Sequence, residues 1–80
     1  MMKIFIAIWK DRHTDTTAHP FYNQEEAVDW ARGKAKVYAE HAGGSEDYEE
    51  TDCANIDGWV FYATYSCEGD CIYVVEAEIR

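Results

Sequence analysis

Eighty residues with 48% apolar side chains, 15% aromatic ones and a formal net charge of -9 lie far from the low-hydrophobicity, high-charge range in which chains stay disordered. A chain this short buries only about 60–65% of the surface that its unfolded form exposes, so one small core and a net stability of a few kcal/mol are expected. The acidic field repels phosphate backbones and anionic membranes, which argues against direct nucleic-acid binding, and no apolar run approaches the ~20 residues of a membrane-spanning helix.

Residues 3–9, KIFIAIW, are apolar and mostly branched, the pattern of a strand covered on both faces or lying centrally in a small sheet. The opening MMKIFIAIWKD is too short and too soon interrupted by charge for a signal peptide, which makes the cytoplasm the expected compartment. KDRHTDTTAH, residues 10–19, is rich in turn formers, and Pro20 suits an edge strand, so a loop followed by a short strand is predicted around residues 16–22. Asn23 followed by Glu26 has the form of an N-cap with an acidic third residue, and Glu25 and Asp29 add negative charge where the helix dipole favours it. Ala27, Ala31, Ala35, Tyr38 and Ala42 recur at spacings of three or four, with Val28 and Ala39 widening the stripe. A helix over roughly residues 24–42 therefore lays small side chains against a sheet, and Gly43 and Gly44 end it. Trp30 and Val37 fall off the stripe and mark a second apolar patch, a candidate homodimer contact on the helix face.

WVFYATYSCEGDCIYVVEAEI, residues 59–79, reads as two β-rich runs around a turn. A three-residue loop, Glu68-Gly69-Asp70, sets Cys67 opposite Cys71, and puts Tyr65, Ala63, Phe61 and Trp59 opposite Tyr73, Val75, Ala77 and Ile79 on one apolar face packed by the helix. The other face then pairs Ser66 with Ile72, Thr64 with Val74, Tyr62 with Glu76 and Val60 with Glu78. A two-residue loop would oppose Phe61 to Glu76, and a one-residue slip exchanges faces, so the odd loop is preferred. The expected fold is α+β: a three- or four-stranded antiparallel sheet with one helix on one face, in the order β(β)αββ, as a single domain over residues 1–80.

Asp11, His13, Asp15 and His19 bring imidazoles near carboxylates, but without a metal-binding spacing, and Asp and Thr serve turns in such a connection. His41 suits the negative end of the helix dipole. Cys53, Cys67 and Cys71 match no zinc motif and read as structural thiols, reduced in a cytoplasm even where Cys67 and Cys71 approach disulfide range. With no phosphate-binding glycine loop and no nucleophile motif, the sequence supports neither an enzyme activity nor a cofactor. Trp59, Phe61, Tyr65 and Tyr73 are assigned to the core, whereas Tyr48 and Tyr62, flanked by charge, have the character of interface residues.

SEDYEETDCANIDG, residues 45–58, holds six carboxylates and no Lys or Arg. The run is either a solvated connection or a surface whose carboxylates compete for Lys and Arg side chains that otherwise hold nucleic-acid phosphates. On the second reading the partner-binding residues are Glu46, Asp47, Tyr48, Glu49, Glu50, Asp52 and Asp57, joined by Tyr62, Asp70 and Glu76 of the hairpin.

Through the segments KIFIAIWKDRHTDT and FYATYSCEGDCIYVVEAEI, under half of the chain, the sequence resembles small proteins of phages and other mobile elements. Among these it is similar to anti-CRISPR proteins directed at type I surveillance complexes (Cascade), type I-C included. The resemblance implies a DNA mimic that occupies a basic DNA-binding surface on a subunit of the surveillance complex and blocks target DNA, with no residue that selects the subunit. The alternative is a small acidic regulatory or accessory module of a phage that binds a host protein unrelated to CRISPR.

Overall fold

The computed structural model describes residues 2–11, 14–42, 48–51, 58–66 and 70–79. Its strands are β1 (Met2–Lys10), β2 (Thr17–Phe21), β3 (Glu49–Thr51), β4 (Trp59–Thr64) and β5 (Cys71–Ile79), with one helix, α1 (Gln24–Ala42), between β2 and β3. The strands form one sheet in the order β2-β1-β5-β4-β3 with every neighbouring pair antiparallel. The α+β class and the single helix layer are as expected. The fifth strand is β3, which lies inside the acidic run and forms one edge.

Local chemistry accounts for the helix. The Glu26 amide donates to Asn23 Oδ1 at 3.1 Å, which satisfies one of the amides that the first turn leaves without partners, and the Ala27 amide makes the first intrahelical bond, to the Asn23 carbonyl at 3.1 Å. Ala27, Ala31, Ala35 and Ala39 are fully buried. Their methyl groups allow α1 to lie close to the sheet, where Phe5 and Ala7 of β1, Phe61 and Ala63 of β4, Tyr65, and Ile72 and Val74 of β5 complete the core. Entering from β2 and leaving towards β3, α1 carries the chain from one sheet edge to the other. Trp30 does not form the separate patch expected of it: its ring packs on His19 at 4.5 Å and Phe21 at 5.9 Å, covering β2, while Val37 stays exposed.

The pairing of β4 with β5 corrects the expected register. Thr64 lies opposite Cys71, Ala63 opposite Ile72, Tyr62 opposite Tyr73 and Phe61 opposite Val74. The connection is longer than three residues, because Tyr65 and Ser66 leave the ladder. The Tyr65 amide donates to the Asp70 carbonyl at 3.1 Å, and Ser66 Oγ donates to Asp70 Oδ2 at 2.9 Å. Cys67, Glu68 and Gly69 lie outside the described residues. An odd shift sends each β5 side chain to the other face: Ile72 and Val74 enter the core, while Tyr73, Val75 and Ala77 face away from α1. Glu76 lies on the same side of the sheet as Phe61. β5 outruns β4, and Glu76 sits opposite Phe5 near the end of the sheet, exposed and 3.2 Å from Lys3 Nζ. Such a rim position tolerates a charge on the core side.

A bulge adds a second correction. The register slips between Trp59 and Phe61, leaving Val60 as the additional residue. Trp59 therefore faces away from α1 although Phe61, two positions later, is buried beneath it.

Candidate functional site

Of the acidic run, Tyr48 and the β3 residues Glu49, Glu50 and Thr51 are described; Glu46, Asp47, Asp52 and Asp57 lie outside the described residues. β3 pairs with β4 through Glu49 opposite Thr64, Glu50 opposite Ala63 and Thr51 opposite Tyr62. The alternation splits the two adjacent carboxylates: Glu50 lies on the helix side and Glu49 on the opposite side.

Glu50 is held by two partners. Arg32 of α1 approaches it as a fork, with Nε 3.1 Å from Oε2 and Nη2 3.1 Å from Oε1, and the Tyr48 hydroxyl donates to Oε2 at 2.7 Å. The Arg32 guanidinium also lies 5.3 Å from the centre of the Phe61 ring, and Lys36 Nζ 5.6 Å from that of Tyr48. Hydrogen bonds from Arg32 and then from Tyr48 hold the Glu50 carboxyl below its ordinary value. Burial and the bond to Glu50 push the Tyr48 phenol up to about 12. Glu50 thus ties the edge strand to the helix, and Glu49 is the described carboxylate of the run that a basic partner can reach. Because the Arg32–Glu50 pair is exposed, Glu50→Gln is expected to lower stability by less than ~1 kcal/mol, read as a small fall in Tm with β3 still formed.

Two other predicted partner residues are placed differently from expectation. Asp70 is 4% exposed and bonded within the β4–β5 connection, so it shapes that turn and is closed to a partner. Tyr62 is not beside Glu76. It faces Tyr73 on the side of the sheet away from α1, and a hydrogen bond with the Cys71 thiol, then burial, raises its phenol above the ordinary value. Cys71 is a buried free thiol. His19 shares a hydrogen bond with Thr17 Oγ1 at 2.9 Å, and Asp11 accepts one from the Tyr65 hydroxyl. Among the described residues no group of three or more His, Cys, Asp or Glu is placed to hold a metal ion. No described helix is long and apolar enough to cross a membrane.

The sheet face away from α1 is the surface that sequence reasoning missed. β1 places Ile4, Ile6 and Ile8 there, by alternation with the core residues Phe5 and Ala7, and each remains partly exposed. Trp59 stacks on Tyr73 with centroids 4.8 Å apart, and Tyr62 lies 6.1 Å from Tyr73 and 5.9 Å from Trp59. No described element covers these rings. The signal was present in KIFIAIW, apolar on both alternations, which implies something to cover each face. No protein-family model, curated protein or solved structure matches the chain.

Proposed function

We propose that the protein works by binding another protein, as an acidic competitor for a basic, phosphate-binding surface, and that its target is the DNA-binding groove of a type I CRISPR surveillance complex in the bacterial cytoplasm. The observation that carries the reading is the distribution of charge. Of a net charge of -9, six carboxylates without a cation fall in residues 45–58. The first turns of α1 add exposed Glu25, Glu26 and Asp29. Clustered carboxylate oxygens and DNA phosphates satisfy the same Lys and Arg side chains, so each excludes the other. The resemblance to anti-CRISPR proteins supplies the particular partner.

Order of addition tests it. Protein mixed with the surveillance complex before target DNA is expected to abolish the shifted band in a gel assay. Added after a complete R-loop has formed, it is expected to do much less, because the basic side chains are occupied and the DNA leaves slowly. Reversing Glu46, Asp47 and Asp52 together to Lys is expected to weaken the complex while leaving Tm unchanged, and wild-type binding to weaken with salt as attraction is screened over a ~10 Å Debye length. Normal DNA binding at saturating protein would remove the competitor reading. The alternative, a regulatory module that binds a different host protein, is favoured by one observation, the uncovered aromatic sheet face, and predicts no effect in either order of addition.

A further inference from the structure

The geometry points to self-association: two copies of the chain pack face to face through the side of the sheet opposite α1, about a two-fold axis parallel to the strands. The first support is the composition of that face. The charged strand residues are sorted by side, with Lys3, Glu50, Glu76 and Glu78 on the helix side. Among the described strand residues only Lys10 and Glu49 carry charge on the open face. Among the described residues a chain of net charge -9 thus has one sheet face with few charges, where Ile4, Ile6 and Ile8 flank the Trp59, Tyr62 and Tyr73 cluster. Aromatic and branched side chains with little charge are what the buried centre of an interface contains.

The second support is where those two charges lie. Lys10 is opposite Cys71, Cys71 opposite Thr64, and Thr64 opposite Glu49. Lys10 on β1 and Glu49 on β3 therefore share one row across the sheet, three strand spacings apart. A two-fold axis along the strands, between β5 and β4, preserves the row and exchanges its ends. It sets Lys10 of each copy over Glu49 of the other, across the ~10 Å that separates packed sheets. Two reciprocal ion pairs result, and β4 of each copy overlies β5 of the other, so the aromatic clusters meet at the axis. A heterologous partner would need no such match between the two charges of this face.

The third support is area. The strands β1, β5, β4 and β3, of nine, nine, six and three residues at ~4.8 Å spacing, give a footprint on the order of 450 Å². Before the relief of the aromatic side chains is added, this is over half of the ~800 Å² per partner that a specific interface buries. α1 and its exposed acids then lie on the outside of a four-layer assembly, with the like charges of the two copies far apart.

The test is the mass of the full-length chain in solution by sedimentation equilibrium, with no other protein present, so its result is independent of any effect on a CRISPR complex. The wild type is expected to approach twice the 9.2 kDa chain mass at micromolar concentration. Ile6→Glu, on the open face of β1, is expected to weaken the dimer more than 100-fold with circular dichroism unchanged. Lys10→Glu is expected to weaken it about tenfold, since each dimer loses two attractions and gains two repulsions. Combining Lys10→Glu with Glu49→Lys is expected to restore it. Both charged residues are exposed, so the swap remains decisive should Ile6→Glu fail to fold. A wild type monomeric throughout, or a dimer insensitive to both Lys10→Glu and Ile6→Glu, would overturn the proposal; the first result assigns the face to a different protein.

Discussion

Phe61→Ala is expected to unfold most of the protein at room temperature. Phe61 is 5% exposed and stands at the middle of the core between the alanines of α1 and the β5 residues Ile72 and Val74. Truncating a buried Phe costs ~3–5 kcal/mol, through lost transfer energy and the cavity left behind, against the few kcal/mol that so small a core supplies. Urea denaturation followed by tryptophan fluorescence reads the loss. The same experiment checks the corrected register. Val74→Ala removes two carbon groups from the core, at ~0.8 kcal/mol each plus a cavity, and is expected to cost about 2 kcal/mol. Val75→Ala, on the open face, is expected to cost less. The reverse ranking would restore the pairing of Ala63 with Val75.

Tyr65→Phe carries the second large effect. Tyr65 is 2% exposed; its hydroxyl accepts a hydrogen bond from Trp9 Nε1 at 2.7 Å and donates one to Asp11. The substitution takes away the acceptor of the indole N–H and a donor to the carboxylate, a loss of ~1–3 kcal/mol where the remaining polar groups stay shielded from water. Burial, then the bond to Asp11, raises the Tyr65 phenol above its ordinary value. The folded state thus keeps its proton at a pH where the unfolded chain has released it. The associated stability is fully present below the unfolded value of about 10 and falls as pH rises beyond it. Alkaline titration of Tm is expected to be flat below about pH 10 and then to decline. Tyr65→Phe is expected to flatten that decline, with the slope due to Tyr48 and Tyr62, raised in the same direction, remaining. An unchanged alkaline slope in the variant would show that the Tyr65 proton does not distinguish the two states.

Elements governed by local chemistry were legible in the sequence. Asn23 and Glu26 announced the helix start, the alanine spacing identified its buried side, and Pro20 marked an edge strand that is indeed β2. Long-range matching was not legible. The register of β4 and β5 depends on a connection closed by Asp70 and on a bulge at Val60, neither of which has a spacing rule, and Glu76 sits at the rim beside Lys3 rather than under the helix. For the acidic edge, the bond between Arg32 and Glu50 joins residues 18 apart, a contact that exists only once α1 crosses the sheet. The open face was signalled by KIFIAIW, apolar on both alternations, but the sequence does not say whether the chain itself or another molecule supplies the second cover.

The position of β5 between β1 and β4 also dictates an order of assembly. β4 and β5 meet by closing a six-residue connection, whereas β1 and β5 meet only when some sixty intervening residues have been gathered in. Loop-closure entropy makes the second event costlier by about 2 kcal/mol, so the meander of β3, β4 and β5 is the natural nucleus and β1 docks late. During synthesis β1 can pair with β2 across a short connection, but its other edge has no ladder to join until β5 follows. Until β5 is made, KIFIAIW keeps one open edge and two apolar faces, which makes chaperone capture or aggregation of nascent chains the step most sensitive to changes in β5.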